Sequence, residues 1–292
     1  MPSWNIHTAH VEKLLADAEP ASLGIADANA FLFGNLAPDV YVGYVVPDAS
    51  RRIEYKETHL ARPDFIPKPN AALFYERYVR AASAKDPVDL LLGAWAHLLA
   101  DHYYNLRTTE YIARIGVLPG EQTRIRKQGD FDVFGRTLVI RGVPKPTEEL
   151  VTQCAAFPQY AIDKPDVLAT IRAQQGIVRN NELNHVDGAP TYSLLTPEFF
   201  SQTFAEVDAV LNEALRMHVA GEDPTCFGRD DDMEPGTAVA SPAAHALNAS
   251  FADGPSPVAH TPGTSFAAGA NPTAHVSSAS SAGIDTCDQG RS

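Results

Sequence analysis

His97 and Asp101 interrupt the most apolar run of the chain, VDLLLGAWAHLLADHYYNL, at a spacing of four residues. On a helix both side chains leave one face, with Cβ atoms about 5–6 Å apart. A helix apolar nearly all round belongs at the centre of a bundle. Burying an imidazole and a carboxylate there costs free energy unless they pair or share a cation. Two arrangements meet that demand, a His–Asp hydrogen bond in the core and a metal site. Three further polar groups stand where the neighbouring sequence expects burial. His7 opens the first amphipathic stretch, two turns ahead of Leu14 and Leu15. Asp39 ends FLFGNLAPD, at a turn set by Pro38, which disfavours helical geometry at Ala37. His59 lies in EYKETHL, a polar stretch expected to form a loop over a site. Singly, Asp39 reads as a turn or cap residue and His59 as a surface histidine. Together the four residues Asp39, His59, His97 and Asp101 offer nitrogen and oxygen donors without cysteine, which suits zinc in a catalytic rather than a structural role.

The elements that position these residues read as helices, since apolar residues recur at three- and four-residue spacing and alternating runs are scarce. Val11, Leu14, Leu15 and Ala18 mark one stripe. The run after Asp86-Pro87 carries a start signal, proline in the first turn behind an aspartate cap. Further helices are expected over 71–84, 148–157, 165–179 and 197–220. Residues 134–146, FGRTLVIRGVPKP, give the one β-like run, which reads equally as the end of a helix. The fold class expected is all-α, a multi-helix bundle over residues 1–221. Residues 222–292 form an acidic tail rich in Ala, Ser, Pro and Gly, with too few apolar positions to offset its ordering entropy, and are expected to be disordered.

Composition narrows the function classes. The 292 residues carry a formal net charge of −13, which opposes binding to a nucleic-acid duplex. The three cysteines, Cys154, Cys226 and Cys287, stand far apart with no C-x-x-C pair, as in a reducing compartment. Lys13 follows Glu12 before any apolar run long enough for a signal peptide, and no stretch is long enough to span a bilayer, so a cytoplasmic protein is expected. No G-x-S-x-G elbow and no glycine-rich phosphate loop is present.

Trp4-x-x-His7, FLFGNLAPD, KETHL and HLLAD, in that order, resemble the zinc-dependent phospholipase C family, all-helical hydrolases also similar to fungal single-strand nucleases. The match runs over roughly residues 2–132. The resemblance implies that Asp39, His59, His97 and Asp101 surround one zinc. It also implies that Asp101 reaches a second metal bound by His7, and that Asp39 is the general base. Secreted members hold that second metal partly through the amino group of an N-terminal tryptophan, whereas Trp4 here stands behind Met-Pro-Ser. The family's remaining metal takes His, His and Glu after the HxxxD helix. RKQGDFDVF stands there in this chain, leaving Asp130 as the best surviving ligand, with His102, His185 or Glu110 as substitutes and His10 as a further donor or an exposed histidine. One to three Zn2+ ions are implied. The implied chemistry is metal-assisted hydrolysis of a phosphodiester, phospholipid or soluble, with Tyr44, Tyr55 and Tyr104, near Tyr41 and Tyr103, lining the pocket. The alternative is a helical binding protein that kept the hydrolase shell and lost its activity.

Overall fold

The computed structural model describes residues 2–83 and 85–229. Among these the chain is all-α, with helices and short 3-10 turns and no strand. Helix α1 spans Trp4–Asp17, α2 Ala28–Gly34, α3 Tyr55–Thr58 and α4 Ala71–Phe74, the last continuing as a π-helical turn over Tyr75–Val79. The long α5 spans Val88–Arg114, followed by α6 (Glu121–Thr137), α7 (Glu148–Ala155), α8 (Lys164–Leu183) and α9 (Pro197–Ala220). From Leu90 to His102 every residue of α5 is buried, as its composition requires.

Helix α2 crosses α5 at a glycine pair. A Cβ on Gly34 would lie 2.1 Å from the Leu90 carbonyl oxygen, and one on Gly93 would lie 2.1 Å from that of Phe31. Only glycine permits two backbones to approach this closely. Asp27 caps α2, its carboxylate accepting from the Asn29 and Ala30 amides. On the other side of α5, Arg107 makes a two-pronged ion pair with Glu206 of α9. The edge of the Phe131 ring meets Tyr104 at 5.6 Å between centroids and fixes α6 against α5.

Several elements differ from the sequence reading, each for a local reason. Asp86 does not cap α5: its carboxylate accepts from the amide and hydroxyl of Ser83, and Pro87 occupies the cap position. Helix α6 carries no apolar stripe that periodicity could detect, because polar residues fill its exposed sides and only Thr123, Lys127, Asp130, Phe131, Phe134 and Gly135 are buried. The β-like run over 134–146 is the end of α6 and then an irregular connection. The folded body does not stop at Gly221. Residues 224–226 form a 3-10 turn, Phe227 is buried, and Gly228 packs on Ala71, so ordered packing continues to Arg229. The tail expected to be disordered lies outside the described residues from 230 onward.

Candidate metal centre

Four elements deliver five polar residues to one buried place. His7 comes from the second turn of α1, and Asp39 closes a 3-10 turn over Ala37–Asp39 with Pro38 inside it. His59 caps the end of the one-turn α3, while His97 and Asp101 project from the middle of α5. All five are at most 2% exposed. His59, expected in a loop over the site, is wholly enclosed. Immediately after it Leu60 takes a left-handed conformation at φ 52°, unusual for a branched residue. The bend carries the chain inward so that the His59 carbonyl accepts from the Asn70 amide at 3.2 Å.

Hydrogen bonds fix which nitrogen of two imidazoles carries the proton. His97 Nδ1 lies 2.8 Å from the Asn35 carbonyl oxygen, which can only accept, so Nδ1 holds the hydrogen and Nε2 presents a lone pair. His59 Nδ1 lies 2.7 Å from Thr58 Oγ1, whose own hydroxyl donates to the Tyr55 carbonyl, so the same assignment holds there. The two Nε2 atoms face each other at 3.3 Å. Around them stand Asp39, with Oδ1 3.6 Å from His59 and Oδ2 3.9 Å from His97, and Asp101 Oδ2, 3.6 Å from His59 and 3.9 Å from His97. Asp101 Oδ1 lies 3.2 Å from His7 Nε2, and the His7 ring stacks on His97 at 3.9 Å between centroids.

The donors fall into two overlapping groups, Asp39–His59–His97 and His7–His97–Asp101, each with its ligand atoms within 4.8 Å of one another. Two polar atoms in them, Asp39 Oδ1 and His7 Nδ1, are buried with no hydrogen-bond partner among the described residues. Neighbouring lone pairs beside buried carboxylates repel unless a cation lies between them, and orphaned buried atoms ask for the same occupant. The donor set therefore fits a divalent cation that accepts nitrogen and oxygen ligands. Supporting contacts are also in place. Trp4 Nε1 donates to Asp39 Oδ2 at 3.0 Å, and the Tyr55 hydroxyl donates to Asp101 Oδ2 at 3.0 Å while its ring stacks on His59.

Burial sets the charge states. It drives His7 down to about 3 and His59 well below the usual imidazole value, so both are neutral near pH 7, the form that ligates metal. It raises the Asp39 carboxyl to about 6. Burial would raise Asp101 too, but the His7 hydrogen bond and the surrounding imidazoles override it and hold that carboxyl below the ordinary range.

Other residues expected at the site are used elsewhere. Asp130 belongs to neither donor group: both its oxygens are consumed by the Ser193 amide and hydroxyl and by the Leu194 and Leu195 amides, so it anchors the segment leading into α9. Tyr104 lines no opening. It is fully buried and its hydroxyl meets His10 Nε2 at 3.0 Å. His10 itself is buried rather than exposed, with Nδ1 2.6 Å from Asp208. Tyr41 donates to Asp166. Glu110 accepts from Arg107, His102 Nδ1 meets the Pro69 carbonyl and His185 lies 3.6 Å from Asp187, and among the described residues none of the three joins the donor groups. Tyr55 touches the cluster directly. Tyr44 is 61% exposed, and desolvation with the fields of Asp39 and Asp101 pushes its hydroxyl pKa above the usual tyrosine value. Asn35 and Thr58, which orient the two central imidazoles, carry no signal in the sequence beyond their adjacency to buried runs. No known protein family, curated protein or solved structure matches this chain.

Proposed function

We propose that this chain is a zinc-dependent hydrolase of phosphate esters, acting on a phosphodiester or phospholipid as the order of its donor motifs suggests. The observation that carries the reading is the pair of Nε2 lone pairs of His59 and His97, 3.3 Å apart between two carboxylates, with both Nδ1 protons tied to oxygens outside the cluster. Asp39, His59, His97 and Asp101 would hold one ion, and His7 with the other oxygen of Asp101 would help hold a second, since the single Nε2 lone pair of His97 serves one ion. When bound, zinc supplies Lewis acidity that brings the pKa of a coordinated water to about 7 and offsets charge on phosphoryl oxygens. Asp39 has one oxygen held by Trp4 and the other without a partner among the described residues, so it can orient the attacking water and take its proton. Tyr55 holds Asp101 in place through its hydroxyl. Tyr44, exposed and within the fields of both carboxylates, would contact the ester.

A second reading keeps the metal and drops the turnover. It is favoured by α6, whose best candidate for the expected third ligand position, Asp130, is fully occupied with amides and the Ser193 hydroxyl. Zinc content per chain and hydrolysis of bis(p-nitrophenyl) phosphate, with and without chelator, separate the two. Bound zinc with chelator-sensitive hydrolysis supports the enzyme. Bound zinc without hydrolysis supports the inactive shell, and no bound zinc removes both.

A further inference from the structure

Tyr104, His10 and Asp208 form a polar chain across α5, α1 and α9 that belongs to neither donor group. The Tyr104 hydroxyl lies 3.0 Å from His10 Nε2, and His10 Nδ1 lies 2.6 Å from Asp208 Oδ1. Tyr104 is fully buried, and among the described residues its hydroxyl has no other partner, so its proton goes to Nε2. His10 then donates from Nδ1 to Asp208. Every donor in the chain has an acceptor, with the imidazole neutral and the carboxylate carrying its charge. Asp208 Oδ2 is left buried with no hydrogen-bond partner among the described residues. Asp208 also lines a cavity of about 400 Å³ between α1, the end of α6 and α9. Phe134, Leu138, Phe204 and Ala205 wall it with hydrocarbon, and the Phe204 ring is backed by His10 at 4.2 Å between centroids. The polar groups of the lining mostly accept. The Ser201 hydroxyl spends its proton on the Glu198 carbonyl and keeps its lone pairs. Lys13, the one cation of the lining among the described residues, bonds Asp17 and stands in the field of Asp208, so one ammonium serves two carboxylates.

We propose that this cavity binds a small organic ammonium ion, its charged head on the Asp208 carboxylate and its apolar body against Phe134, Leu138 and Phe204. The volume lies within the range of small-molecule sites, and walls of hydrocarbon with a single convergent charge are their usual composition. A carboxylate at an apolar wall, held by a neutral imidazole, calls for a cation that can donate hydrogen bonds. An anion would meet Asp208 and Ser201 lone pairs, and a neutral hydrocarbon would leave the charge unmatched. The cavity shares no residue with either donor group, so the proposal stands apart from the hydrolase reading.

The test titrates the full chain calorimetrically with benzylamine and, as the uncharged match, benzyl alcohol. Wild-type protein should bind the amine about tenfold or more tightly than the alcohol, the margin of one charge-assisted hydrogen bond. Asp208→Asn keeps an oxygen for His10 and removes the charge, and should erase that margin. Ala205→Leu fills the cavity from an exposed position on α9 and should abolish binding of both ligands. If Asp208→Asn does not fold, the margin in the wild type and the loss of amine binding in Ala205→Leu decide the matter. Chelator-treated protein should give the same affinities, so the hydrolase reading can fail without touching this result. Three outcomes overturn the proposal: no benzylamine binding by the folded wild type, equal affinity for amine and alcohol, or amine affinity unchanged in either folded variant.

Discussion

Replacing His97 with alanine tests the donor cluster most directly, because His97 belongs to both donor groups. The substitution removes a wholly buried imidazole, strands the Asn35 carbonyl that it satisfies, and takes away the ring stacked on His7. Loss of packing together with an unsatisfied acceptor should lower the stability of the metal-free protein by about 3 kcal/mol or more. The decisive quantity is the linkage to zinc. For the wild type, free zinc at a hundredfold excess over Kd stabilises by about 2.7 kcal/mol. A domain of this size gains about 2–4 °C per kcal/mol, so Tm should rise by roughly 5–11 °C on adding zinc to chelator-treated protein. In His97→Ala that rise should vanish while the starting Tm is lower. The assay is thermal unfolding followed by circular dichroism, with zinc per chain measured on the same samples. A variant that keeps both the wild-type zinc-induced shift and the wild-type stoichiometry would refute the assignment of His97 as a ligand.

Trp4→Phe keeps the ring and removes the hydrogen bond to Asp39, and should weaken zinc binding by roughly 10–100-fold; a competition titration against a chelating dye that shows no change contradicts the orienting role. Asp130→Asn puts an amide where buried N–H groups need acceptors, and should cost about 2–4 kcal/mol in urea unfolding while leaving the zinc-induced Tm shift intact. Loss of that shift would return Asp130 to the metal site. Acid should destabilise the metal-free protein. His7 and His59 take up protons below 6.5 only on unfolding, so the unfolded state holds more protons there and stability is lost as the pH is lowered. Asp39 acts in the opposite sense between 3.8 and about 6, where the folded state holds the extra proton, and cancels about one of the two histidine contributions. Urea midpoints that stay level or rise from pH 7 to pH 5 would contradict this ordering.

The sequence is legible where a polar residue violates an apolar context. His97 and Asp101 stand out because everything around them on α5 is apolar, and Asp39 because proline pins its turn. His59 resisted the same reasoning. The residues around it are polar since α3 is a single turn with an exposed outer side, so its complete burial comes from the left-handed bend at Leu60 and from chain packed over it. His10 and Tyr104 are not legible in the sequence, because a buried histidine and tyrosine that satisfy each other across two helices look the same, residue by residue, as an exposed histidine and a pocket tyrosine. Helix α6 escaped periodicity for a different reason. Its buried face is built from a lysine, a threonine and an aspartate as much as from its phenylalanines, so polarity along the chain does not mark which side faces inward.

The bare crossing of α2 over α5 ties the Asn35 carbonyl, and through it the orientation of His97, to the separation of two main chains rather than to a rotamer. Asp39 follows a few residues later on the same outgoing strand of backbone. The spacing between an imidazole on α5 and a carboxylate on the turn that follows α2 thus depends on how closely the two helices meet. An ion of different radius would have to pry the helices apart instead of merely swinging side chains. On the zinc reading proposed above, selectivity among divalent cations is open to change from the junction itself, by substitutions that touch no donor at all.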